Sequence, residues 1–166
     1  MYISSPSDPI GEIFGLAITH DNRFFVSAGK DQCIKIWDIT SRNCIDYIQN
    51  AHAGIVYNIC LRLGPITSLT ITPDDKFIVS GSTDQSIRIF NFSTKHCVHR
   101  FPATHEGKIK PNSIKDIEAV TVLVMTPDGR YLISSSTDRS INVYDFQGRK
   151  LVKQIKDAHS GLNFLI

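Results

Sequence analysis

Along this chain the apolar positions come in short runs rich in Ile, Val, Phe and Thr, broken by turn residues every eight to ten positions. No stretch carries the spacing of a helix face. The middle of the chain shows the pattern most plainly. Ile66 to Thr72 predicts a first strand, Pro73-Asp74-Asp75 a turn, Phe77 to Ser82 a second strand and Thr83-Asp84-Gln85 another turn. Ile87 to Phe92 then predicts a third strand, and Cys97 to Phe101 a shorter, more polar fourth. His20-Asp21-Asn22 and Pro127-Asp128-Gly129 repeat the first turn elsewhere, with the residues that favour tight reversals. Thr72-Pro73 and Thr126-Pro127 open that same turn, so geometry accounts for them without invoking phosphorylation.

The strands belong to a repeat. STDQSIRIFNF at 82–92 returns as STDRSINVYDF at 136–146. Three units of 42 residues align without an internal gap, 13–54, 66–107 and 120–161, and the second matches each of the others at 15 positions. Chance would give about three. Residues 1–12 then form an N-terminal extension, and 162–166 a tail or the start of a further unit. The run Ile87-Arg88-Ile89-Phe90 places large side chains on both faces of a strand, so a four-stranded sheet built from it needs neighbours on both sides. A β-propeller packs radial sheets in this way.

The residues that carry a family resemblance are SAGKDQCIKIWD at 27–38, SGSTDQSIRIFN at 80–91 and SSSTDRSINVYD at 134–145, each followed some 14 residues later by His-x-Gly. This combination resembles WD40 repeats over 126 of 166 residues. The resemblance implies an all-β, partial WD40-type β-propeller of three four-stranded antiparallel blades, an open part of a larger ring. There are departures. Only Trp37-Asp38 gives the literal dipeptide, Phe90-Asn91 and Tyr144-Asp145 standing in its place, and Ala51, Thr104 and Ala158 replace the family's usual glycine before the histidine.

Ser80, Asp84 and His52, or Ser134, Asp138 and His105, supply the residue types of a hydrolase triad. An active site is built once, however, whereas this set recurs at the repeat spacing. In the family that it resembles, a histidine before the first strand, a serine, an aspartate and a tryptophan hydrogen-bond to one another as a brace. Carried over, His52 goes with Ser80, Asp84 and Phe90, and His105 with Ser134, Asp138 and Tyr144. Ser27, Asp31 and Trp37 have no preceding histidine, and His159 has no following blade. Phe90 cannot donate a hydrogen bond, which predicts a less rigid second blade; Tyr144 replaces the indole donor provided that its hydroxyl reaches. Three blades leave two apolar faces without neighbours. Either more chain belongs at the ends, the reading favoured here, or copies associate to close the ring.

Composition narrows the function. Eighteen basic and sixteen acidic residues leave a net charge of +2 with no basic stripe, so nucleic acid is not an expected partner. Cys33, Cys44, Cys60 and Cys97 form no CxxC pair, which excludes a zinc ribbon and predicts reduced, mostly buried thiols. His96 and His99 point to opposite faces of a strand and make no metal pair. Asn91-Phe92-Ser93 fits a glycosylation sequon, but no signal-like segment supports secretion. No apolar run is long enough to span a membrane. The expected location is intracellular, in the cytoplasm with the nucleus open. No cofactor, metal or catalytic residue is expected.

The resemblance also implies where a partner would sit. Phe14, Thr67 and Thr121 lie at the top ends of inner strands, and Lys30, Thr83 and Thr137 precede the turn aspartates. The connectors 55–65 and 108–119 reach the same top face, and loops of that length on a rigid scaffold often carry function. The function implied is a non-catalytic scaffold binding a protein or peptide. The alternative is a regulatory or targeting propeller segment of a larger multidomain enzyme.

Overall fold

The structure, a computed structural model, describes residues 11–52, 64–101 and 119–158. His105, His159, Cys60 and most of the two connectors lie outside them. Twelve strands are present among the described residues, and no helix. The first sheet contains β1 (Ile13–Ile18), β2 (Phe24–Gly29), β3 (Ile34–Asp38) and β4 (Cys44–Ile48). β5 (Ile66–Ile71), β6 (Phe77–Ser82), β7 (Ile87–Asn91) and β8 (Cys97–Phe101) form the second. The third comprises β9 (Val120–Met125), β10 (Tyr131–Ser136), β11 (Ile141–Asp145) and β12 (Lys150–Ile155). Each sheet runs in chain order, and every neighbour is antiparallel. The four strands expected of the middle unit are observed within one residue of their predicted ends.

The hairpins repeat because their turn chemistry repeats. Thr19, Thr72 and Thr126 each donate a hydroxyl hydrogen bond to the aspartate two residues on, at 2.7, 2.6 and 2.5 Å, and each accepts from the first amide of the following strand at 3.0 Å. The left-handed position of this turn falls on Asn22, Asp75 and Gly129. The next turn puts Gln32, Gln85 and Arg139 there, and the third Arg42, Lys95 and Arg149. One left-handed residue per reversal keeps the two strands in register with their twist.

Sheets stack face to face. Val26, Ile34, Ile36 and Ile48 of the first sheet and Ile66, Leu69, Ile71, Ile78 and Phe90 of the second share one buried cluster. Val79, Ile87, Ile89 and Phe101 of the second sheet and Val120, Leu123, Leu132 and Tyr144 of the third share another. Ile89 and Phe90 therefore project into different interfaces, which is why one sheet cannot bury both. The inner strands β1, β5 and β9 approach closely. A Cβ on Gly15 would lie 3.1 Å from the Leu69 amide nitrogen, and one on Gly81 would lie 2.6 Å from Val120 Cγ1. A β-carbon at Gly81 would require Val120 to shift, and one at Gly15 would press on the Leu69 backbone, so glycine at both positions favours the close approach.

Polar contacts pin the stack. Leu123 N–H donates to Ser68 Oγ at 2.9 Å across the second interface. The Asp75 carboxylate accepts from the amides of His20 (2.9 Å) and Asp21 (3.3 Å) across the first. At the rim, Lys95 pairs with Asp46 at 3.3 Å, and the equivalent Arg149 donates to the Val98 carbonyl at 2.9 Å. Basic residues at one turn position thus reach back to the preceding outer strand in both interfaces.

The expectation of mostly buried thiols is corrected. Cys44 and Cys97 are exposed and Cys33 is half-buried. Cys44 and Cys97 open the outer strands β4 and β8, whose side chains largely face solvent. With no helix described, none is long and apolar enough to cross a membrane.

Candidate functional site

The polar residues singled out from the repeat meet between the first and second sheets. His52 follows β4, and its imidazole crosses to the second sheet. Nε2 lies 2.7 Å from Ser80 Oγ on β6, and Nδ1 lies 3.2 Å from both oxygens of Asp84 in the turn before β7. One proton arrangement satisfies every atom: Nδ1–H donates to Asp84, and the Ser80 hydroxyl donates to Nε2. Burial is the largest influence on His52 and holds its pKa below the ordinary value, against the pull of Asp84. For Asp84, burial alone would raise the pKa, but the bonds from His52 and Ser86 outweigh it and keep the carboxyl below its ordinary range.

Two further residues belong to this group. Ser86 donates to Asp84 from its hydroxyl at 2.7 Å and from its backbone amide at 2.8 Å. Arg88 pairs with Asp84 at 3.5 Å and donates to the Ala51 carbonyl at 2.9 Å, tying the second sheet to the chain just before His52. Their signal in the sequence is Asp-x-Ser-x-Arg. The amide two residues after the aspartate bonds to it in all three sheets, from Cys33 at 3.1 Å, Ser86 at 2.8 Å and Ser140 at 2.8 Å.

By residue type and distance this is a triad, yet His52 and Ser80 have no accessible surface. A nucleophile has to meet its substrate. Here the polar groups use one another, and what they join is two sheets.

The other two sheets hold parts of the same arrangement. In the first, Trp37 Nε1–H donates to Ser27 Oγ at 2.8 Å, and the indole stacks on Phe25 at 5.8 Å. Asp31 pairs with Lys35 at 3.3 Å. Among the described residues no imidazole bonds to Ser27 or Asp31. In the third, Ser134 and Tyr144 are buried, Asp138 accepts from the Ser140 amide, and the Tyr144 hydroxyl accepts from Asn142 Nδ2 at 3.1 Å. His105 and His159 lie outside the described residues. Phe90, at the place of Trp37, is buried against the first sheet and has no hydrogen to offer Ser80. Phe90→Trp is expected to supply that donor and raise the unfolding free energy by about 1 kcal/mol, read from urea unfolding. A lower stability would show that the interface cannot accommodate the larger ring.

The expected partner-facing residues share one edge of the sheets. Lys30 N–H donates to the Glu12 carbonyl at 3.0 Å, Thr83 to Pro65 at 3.2 Å and Thr137 to Ala119 at 3.2 Å, so each pre-aspartate residue lies beside the start of its inner strand. Phe14, Lys30, Thr121 and Thr137 are exposed, whereas Thr67 and Thr83 are half-buried. Thr121 Oγ1 lies 3.0 Å from Ser135 Oγ. Thr67 is engaged between sheets, where its hydroxyl faces the carbonyls of Gly81 and Val120. Sequence reasoning did not see that use of Thr67, because its acceptor comes from the next unit.

Comparison with known proteins gives concordant results. The family model described as WD domain, G-beta repeat matches residues 5–38, 47–91 and 96–145. The second match runs from β4 to the end of β7, out of phase with the sheets, as the crossing of His52 requires. The chain is 26% identical over 139 residues to the WD repeat-containing protein 26 homolog of Arabidopsis thaliana, covering 84% of the chain and 20% of that protein. It is 25% identical over 162 residues to the COMPASS component SWD3 of Saccharomyces cerevisiae, covering 92% and 47%. The chain thus spans less than half the length of these curated relatives. The crystal structure of the RRP9 WD40 repeats superposes with a TM-score of 0.73 at 22% identity, covering 92% of this chain and 41% of that one.

Proposed function

Because the chain belongs to the WD40, G-beta repeat family, we propose that it is a non-catalytic platform for an intracellular protein or peptide partner. The partner is received at the sheet edge carrying Phe14, Lys30, Thr83, Thr121 and Thr137, with Thr67 ordering that edge from within. The observation that carries this reading is the contrast between two sets of residues. The groups that chemistry would need, His52 and Ser80, are sealed between sheets, while Phe14, Lys30, Thr121 and Thr137 at the edge are exposed and Thr83 is half-buried. Proteins of the family generally serve as interaction scaffolds, and SWD3 is by name a component of an assembly. The edge is threonine-rich with a single lysine, which suits hydrogen bonding to an extended segment better than charge pairing.

Affinity capture with the full-length protein tests the surface. Phe14→Ala and Lys30→Ala are expected to lower partner recovery at least about fivefold with unchanged melting temperature. Equal recovery from wild type and variants would overturn the assignment. A serine-reactive fluorophosphonate is expected to leave Ser80 and Ser134 of the folded protein unlabelled, and labelling of either would overturn the non-catalytic reading.

A further inference from the structure

The two interfaces between sheets are built alike except at the rim. In each, a basic residue at the left-handed position of the third turn reaches back to the outer strand of the preceding sheet, Lys95 in the first interface and Arg149 in the second. Lys95 meets a carboxylate there, Asp46 at 3.3 Å. Asp46 stands opposite Ile36, and the residue in its register position on β8, opposite Ile89, is His99. Ile36 projects into the first interface and Ile89 into the second, and cross-strand partners share a face, so His99 holds in the second the place that Asp46 holds in the first. Among the described residues, the second interface keeps the cation and has no acid in that place.

The groups that stand there are disposed to receive one. Arg149 is exposed and donates from Nη1 to the Val98 carbonyl at 2.9 Å. A guanidinium has several N–H donors, so one carbonyl leaves the others for a carboxylate. His99 is half-buried, its ring edge-on to Phe101 at 4.4 Å. Burial, and after it the charge of Arg149, hold the His99 pKa below its ordinary value, so near pH 7 the imidazole is neutral and has one N–H to give. Val98, just before His99, is 37% exposed, and Leu151, opposite Tyr144 on the face turned to the second sheet, is 48% exposed. Lys150, Lys153 and Lys156 are exposed along β12 and just after it. Of the acids nearby, Asp157 is paired with Arg139 at 3.1 Å, and Asp145 accepts from the Gly148 amide of its own turn at 3.0 Å. This stretch of rim is therefore positive.

We propose that the outer rim between the second and third sheets is a second docking surface, occupied by an extended segment of a partner protein. An Asp or Glu carboxylate of that segment pairs with Arg149 and His99, and a neighbouring apolar side chain covers Val98 and Leu151. The first interface shows the pairing already made, with Asp46 supplying from within the chain the acid that the second interface takes from outside. The site lies on the outer strands, apart from the threonine-rich edge by the inner ones. Both of its walls belong to this chain, so it needs no further blade on either side.

Fluorescence anisotropy tests the proposal, with the full-length protein titrated into a rhodamine-labelled octapeptide that alternates glutamate and leucine. Saturable binding is expected near pH 7. The glutamine counterpart of the peptide should bind at least about tenfold more weakly, and so should the glutamate peptide to Arg149→Glu, at unchanged melting temperature. His99→Asp supplies the acid that Asp46 supplies in the first interface, and is expected to abolish binding without loss of stability. Lys30→Ala alters the edge assigned above and should leave this affinity as it is, so the two surfaces stand or fall separately. No binding of the glutamate peptide, equal binding of the glutamine peptide, or wild-type affinity in either Arg149→Glu or His99→Asp would overturn the proposal. Loss of binding in Lys30→Ala would do the same by placing the peptide on the other edge. A phosphoserine peptide that binds where the glutamate peptide does not would overturn the choice of a carboxylate.

Discussion

His52→Ala should lower the unfolding free energy by about 3 kcal/mol, the range seen when one partner of a buried charged group is removed. The imidazole is wholly buried and is the group that links Ser80 and Asp84. Without it, the Asp84 carboxylate keeps Ser86 and Arg88 but loses its direct bond to the segment that follows the first sheet. The Ser80 hydroxyl loses the acceptor that takes its proton. Urea unfolding near pH 7.5 measures the change. A double-mutant cycle with Ser80→Ala should show coupling of at least about 1 kcal/mol, since the two residues act as one unit. A loss below about 1 kcal/mol for His52→Ala would mean that the imidazole only fills space.

Acid should destabilise the protein through the same residue. Unfolded, His52 takes up a proton near its ordinary pKa of 6.5; folded, burial holds its pKa lower. Between those two values the unfolded chain binds more protons, so stability falls as pH falls. The stabilisation is whole above about pH 6.5 and declines below it, by at most about 1.4 kcal/mol per pH unit for one proton. Asp84, also held low, adds a loss of the same sign nearer its ordinary value of 3.8. His99, lowered by burial and by Arg149, titrates in the same sense as His52. The informative quantity is therefore the difference between wild type and His52→Gln. Unfolding free energies measured from pH 7.5 to 5 should fall more steeply for wild type, and parallel curves would rule out His52 as the source.

Most of the fold was legible because it rests on short-range signals. Alternation in Ile87 to Asn91 names a strand buried on both sides, and Pro73-Asp74-Asp75 and Thr83-Asp84-Gln85 name the turns at either end of the second strand. The brace was legible as residue types because it recurs. Its outer members were not. Arg88 reads as an ordinary surface charge until Ala51 is brought beside it by stacking. Thr67 reads as a free hydroxyl until Val120 of the next sheet supplies a carbonyl. Cys44 and Cys97 read as core residues by type, yet outer strands have few neighbours to bury them. For Arg88 and Thr67, what the sequence left out was an atom belonging to a different repeat.

The strictly consecutive pairing of strands bears on how the polypeptide acquires its shape during synthesis. Every hairpin closes between segments adjacent in the chain, so each sheet can form as soon as its fourth strand leaves the ribosome. The second sheet then finds a matching surface already in place, and the third finds the second. Among the described residues, the three sheets can assemble in chain order, in step with translation, and none of them has to reopen to admit a strand of another.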